Sequence, residues 1–181
     1  MRKTGTIVRE ILRTDAHRRL ISSEGGATAV EFALIAPAFF ALLLAIFEVS
    51  IVLFMQQALQ TATTKTARLI MTGQAQSQNT TAAQFKQQVC NNATSLFNCS
   101  NLYVNVQSFS SFSSASMLNP VQNGTFNAGS MSYGLGSPGS IEVVQVFYEW
   151  PVYLGPLGFN LSNMNGSIHL LVATAAFRNE P

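Results

Sequence analysis

The sequence predicts an α+β chain: a long N-terminal transmembrane helix packed on a small antiparallel β-sheet. Three observations carry this. Residues Ala33 to Met55 form an apolar run broken only by Pro37, Glu48 and Ser50. At ~1.5 Å per residue the run is about 35 Å long as a helix, enough to span a bilayer. Beyond it, Gln56 to Met71 contains neither Gly nor Pro, and Leu59, Ala62, Thr66, Leu69 and Ile70 recur at spacings of three and four, the mark of an amphipathic continuation. The remainder is Ser/Asn/Gln-rich, with apolar, β-branched segments bounded by turn residues, which read as strands.

Taken in order, residues 1–26 form a short basic leader, 27–72 the long helix, spanning the membrane at about 32–55, and 73–181 an exported α+β domain. The leader holds Arg2, Lys3, Arg9, Arg13, Arg18 and Arg19, six of the chain's ten Lys and Arg. The positive-inside rule therefore places the N-terminus in the cytoplasm and the C-terminal domain outside the membrane. Helix entry is expected near Thr28. Pro37 removes one backbone donor, which a membrane helix tolerates, and Gly73 is the expected stop. A second helix is expected from Thr81 to about Phe97, capped by Thr80 or Thr81, with Phe85, Val89, Ala93 and Leu96 on one face. Strands follow at Leu102–Phe109, Ile141–Trp150 and Ser167–Phe177. Between the first two lies a long loop, 110–140, that is either a mobile surface element or hides a short strand around Val121–Phe126.

Composition narrows the chemistry. Charged residues are only 10% of the chain, far below the usual ~25%. The basic leader is too brief, and too close to a span, for nucleic-acid binding. Cys90 and Cys99 both lie on the exported side, where disulfides persist, and a disulfide between them is expected. After the membrane the acids are Glu142, Glu149 and Glu180, and the only His is His169. A Ser-His-acid triad would have to use His169 with Glu142 or Glu149, and His169 reads instead as a polar strand residue. Two cysteines and one His do not make a zinc site. No catalytic residue, metal or cofactor is expected, and the chain reads as structural. Phe147, Tyr148 and Trp150 are either a binding face or core.

Gly25-Gly26-Ala27, then Glu31, then the apolar run resemble a type IV prepilin processing site. VEFALIAP at Val30–Pro37 and the closing FRNEP at Phe177–Pro181 resemble the TadE-like minor pseudopilins of the Tad (tight adherence, Flp) pilus system. The resemblance is good from Gly25 to about Met71 and loose at the C-terminus. It implies a pilin-like fold and cleavage by a prepilin peptidase after Gly26. Ala27 would be the first mature residue, where many type IV pilins have Phe. Phe32 follows the acid, where Tad major pilins resemble a Glu-Tyr pair, and those pilins are much shorter; both features favour a minor component.

Gly26 lets the backbone enter a narrow protease cleft. Cleavage would leave an α-amino group on Ala27, mostly cationic with a reference pKa of about 8, near anionic Glu31. An unpaired carboxylate at the membrane edge is costly. Either a neighbouring subunit's amine pairs with Glu31 and sets the stagger of helices, or Glu31 snorkels or pairs within its own chain. Glu48 either sits at the outer headgroups or makes a buried contact with another pseudopilin helix. Implied partners are the prepilin peptidase, other minor pseudopilins, the major pilin, the inner-membrane assembly platform and membrane lipid. The implied location is the bacterial inner membrane, with the C-terminal domain periplasmic or extracellular. Two alternatives remain: a minor pseudopilin of a type II secretion system, or a membrane-tethered adhesin or binding module.

Overall fold

The computed structural model describes residues 24–93, 95, 97–155 and 158–180. The expected leader, before Glu24, lies outside the described residues. Helix α1 runs Glu24–Met71 with Pro37 inside it. It begins earlier than the expected entry near Thr28, because Gly25 and Gly26 are helical too. The chain divides into two compact units, one ending at Leu44 and the other covering Ala45–Pro181.

In the first unit α1 presents apolar side chains all round. Val30, Phe32, Leu34, Ile35, Phe39, Phe40 and Leu42 are all more than half exposed. Such a surface suits lipid or another apolar helix.

In the second unit α1 becomes one-sided. Glu48, Val52, Met55, Leu59, Ala62, Thr66 and Ile70 are buried, at steps of three and four that keep them on one stripe. Packing on the chain's own domain thus begins at Glu48, within the segment expected to span the membrane. The helix stops where Gly73 takes a left-handed φ of +73°, and its N–H bonds Ile70 C=O at 3.1 Å. The short helix α2 (Gln74–Ser77) follows. Helix α3 covers Ala82–Asn92. Thr81 caps it in a reciprocal box: Gln84 N–H donates to Thr81 Oγ1 at 3.3 Å, and Thr81 N–H to Gln84 Oε1 at 2.8 Å.

Helix α3 is shorter than the expected Thr81–Phe97. Cys90 and Cys99 form a disulfide with Cα atoms 5.8 Å apart. Seven helical residues from Cys90 to Phe97 would already advance roughly 10 Å, carrying the chain away from Cys90. Instead it breaks at Ala93, whose backbone is extended, and Cys99 opens a 3₁₀ turn, Cys99–Asn101, capped by Asn98.

The main sheet contains β1 (Leu102–Phe109), β4 (Ile141–Pro151) and β5 (Ile168–Arg178). The order is β1-β4-β5, antiparallel throughout. Its inner face, with Leu102, Val106, Val144, Val146, Tyr148, Leu171 and Ala173, packs with α1 and with Phe85 and Val89 of α3 in one core. Its outer face is covered by the 110–140 segment. That segment holds a two-stranded ribbon, β2 (Val121–Gln122) and β3 (Thr125–Phe126). Val121, Phe126 and Met131 pack on a second core of Phe147, Met164 and Leu170. Cover on both faces explains why β4 is buried over its first eight residues. Phe147 and Tyr148 are therefore core.

Side-chain amides stand in for strands. Gln145 on the outer face accepts from Leu118 N–H at 2.8 Å and donates to Leu118 C=O at 3.2 Å. Asn163 treats Leu170 the same way, at 2.7 and 3.3 Å. On α1, Gln60 accepts from Thr174 N–H at 3.2 Å and donates to Thr174 C=O at 3.0 Å, while Gln56 donates to Val172 C=O at 2.7 Å. Strand β5 is a sheet edge, and these rungs blunt it without a further strand.

Candidate assembly site

Gly26 is half-buried, and Ala27, Thr28 and Glu31 are exposed. The Gly26–Ala27 bond is helical here. Two consecutive glycines weaken this turn of α1, at roughly 1 kcal/mol each relative to alanine, which eases local unwinding to an extended form. Ala27 and Glu31 are four residues apart on the same helical face, about 6 Å along the axis.

Glu48 is placed quite differently. It is only 8% exposed. Its Oε1 accepts from Tyr153 N–H at 2.7 Å and from Leu154 N–H at 3.2 Å, while Oε2 is buried without a hydrogen bond. The acid thus clasps the loop after β4 to α1 of its own chain. Nothing in the local sequence marks Tyr153 and Leu154 as its partners. The available signal was Glu48 itself, an acid in an apolar helix that needs a donor.

Residues Phe177–Glu180, the described part of the closing FRNEP, lie at the other end of the domain. Glu180 N–H donates to Met71 C=O at 2.8 Å, satisfying one of the carbonyls that a helix end leaves open. Arg178 Nε donates to Gly139 C=O at 3.0 Å. Asn179 is buried, and its Nδ2 reaches Glu142 Oε1 at 3.4 Å. Burial raises the Glu142 carboxyl above the usual carboxylate range, against hydrogen bonds from Ser108, Ser140 and the Gly136 backbone that pull it down.

The pieces of a hydrolytic triad do not converge. His169 lies opposite Trp150 on the sheet and its Nδ1 contacts Leu161 C=O. Glu149 lies opposite Leu170, one residue out of phase and so on the other face, where it accepts from Tyr103 Oη at 3.2 Å. Glu142 sits at the far end of β4. Among the described residues, no three His, Cys, Asp or Glu gather to hold a metal.

The fold is α+β, and among the described residues α1 is long and apolar enough to cross a membrane. Residues 26–68 match the model of a family described as TadE-like protein. Over that segment the chain is similar to the TadE-like family. The match begins at Gly26, the residue before the expected cut. No characterised protein and no solved structure matches the chain.

Proposed function

We propose that this chain is a minor pseudopilin of a Tad pilus, a structural subunit that helps to initiate or cap pilus assembly. Prepilin peptidase removes residues 1–26 on the cytoplasmic face. The freed helix holds the subunit in the inner membrane and then packs beside sister helices, with the domain from 73 onward exported. The observation that carries this reading is the coincidence of the TadE-like match, starting at Gly26, with a helix that keeps large apolar side chains exposed as far as Phe54 on the faces away from Glu48 and Val52. Such a surface is compatible with lipid before assembly and with other pilin helices after it, since both are apolar. The Ala27 amine of one subunit pairs with Glu31 of another and sets their stagger. The partners are other pseudopilins, the major pilin and the assembly platform.

Mass determination of the membrane-extracted protein, with and without co-expressed prepilin peptidase, tests the processing. The expected result is loss of residues 1–26 only when the peptidase is present. A native protein that keeps its leader in cells making a functional pilus would leave a tethered ectodomain as the better reading. Glu31→Ala tests the pairing: co-assembly with partner pilins should be lost, and intact co-assembly would reject the ion pair.

A further inference from the structure

One loop of the C-terminal domain, residues 151–159, reads PVYLGPLGF and is apolar along most of its length, as α1 is. From Pro151 to Ser167 the chain carries no Asp, Glu, Lys, Arg or His. Tyr153 is 72% exposed and Phe159 is 40% exposed. On the turns of α1 that hold Glu48, Phe47 and Ile51 are exposed as well. The Glu48 carboxylate joins these surfaces by accepting from Tyr153 and Leu154 N–H. Nearby, Val152 N–H bonds Ser167 C=O at 2.8 Å and Gly158 N–H bonds Gly155 C=O at 3.1 Å.

This arrangement meets the main requirement for backbone near lipid. Unsatisfied N–H groups are costly there, and these are satisfied from within the chain. A tyrosine ring, apolar with a polar tip, suits the headgroup level. We propose that Tyr153, Leu154 and Phe159 seat in the interfacial layer of the membrane that α1 enters, with Glu48 fixing the height of the exported domain above it. The occupant is lipid because Glu48 holds this apolar loop to α1 within a turn of exposed Phe47 and Ile51. The inference rests on the reading of α1 as a membrane span.

The test uses the full-length chain in phosphatidylcholine/phosphatidylglycerol vesicles carrying nitroxide lipids labelled either near the headgroup or deep in the acyl chain. Tryptophan is introduced one site at a time, as Tyr153→Trp, Phe40→Trp or Phe112→Trp, in a Trp150→Phe background. The same three are also made with Trp150 retained and its signal subtracted, in case that background perturbs the fold. Phe112 follows β1 at the sheet end marked by the Phe109–Ile141 pair, whereas Tyr153 follows Pro151 at the opposite end of β4. The Tyr153→Trp indole should lose fluorescence to the shallow label. Phe40→Trp should lose it to the deep label, and Phe112→Trp to neither. Deep quenching at position 40 without quenching at 153 overturns the seating while leaving the span intact. Equal quenching at 153 and 112 overturns it too, because the domain would then lie on lipid without using this loop. No quenching at position 40 removes the span, and the inference with it.

Discussion

Replacing Gln60 by alanine tests the idea that side-chain amides complete the sheet edge. Gln60 makes two bonds to Thr174, accepting its N–H at 3.2 Å and donating to its C=O at 3.0 Å. Each such bond contributes a net ~0.5–1.5 kcal/mol, which brackets the loss at about 1–3 kcal/mol. The site is half-buried, so water replaces part of what is removed, and the lower end, about 1–1.5 kcal/mol, is expected. Gln56→Ala removes a single exposed bond and should cost about 0.5 kcal/mol. Gln60→Glu keeps the acceptor but turns a carboxylate toward the Thr174 carbonyl. It should be at least as damaging as alanine at neutral pH and should recover in acid, where the protonated acid can donate again. The assay is hydrogen exchange at the Thr174 amide in detergent-solubilised full-length protein, together with its urea midpoint. About 1.4 kcal/mol corresponds to roughly tenfold faster exchange. If Gln60→Ala leaves that amide as slow as in the parent and the midpoint unmoved, packing alone holds the edge and the reasoning is wrong.

Other consequences can be measured in the same sample. Because the folded Glu142 carboxyl titrates above its unfolded value, its stabilising contribution is full below the ordinary carboxylate range and is lost as pH rises through the raised folded value. Glu142→Gln should therefore flatten the pH dependence of the urea midpoint and raise that midpoint at neutral pH. Gly136→Ala would place a Cβ 1.9 Å from Glu142 Oε1 and 2.3 Å from Ser108 Oγ; overpacking of this kind costs about 1–3 kcal/mol, read as a lower midpoint. Opening the disulfide by the double change Cys90→Ser and Cys99→Ser should cost about 2.5 kcal/mol, the loop-closure value for so short a loop, and reduction of the parent should match it. Leu59→Ala, at a fully buried position on the helix stripe, should cost about 2–5 kcal/mol.

The expectations for α3 and the cysteines conflicted within the sequence itself. A helix continuing to Phe97 would leave only Asn98 to bring Cys99 back along about 10 Å of helix to the ~4.4–6.8 Å Cα separation of a disulfide, so the bond favours an earlier end. Asn91 and Asn92, weak helix formers, marked the true end. The start of α1 differed for a milder reason: glycine disfavours a helix without forbidding it, and Gly25 and Gly26 adjoin a long run of strong helix formers.

The membrane-length helix, its amphipathic continuation, the stop at Gly73 and the three long strands were legible in the sequence, because periodicity and turn residues act over a few positions. Only the tertiary structure decided that Glu48 holds the loop at Tyr153, that Gln60 pairs with Thr174, and that the 110–140 segment covers the outer face of the sheet. The first two contacts join residues 105 and 114 positions apart. A glutamine or glutamate looks the same in sequence whether it faces water or a distant backbone group, and only the packed fold brings that group within reach.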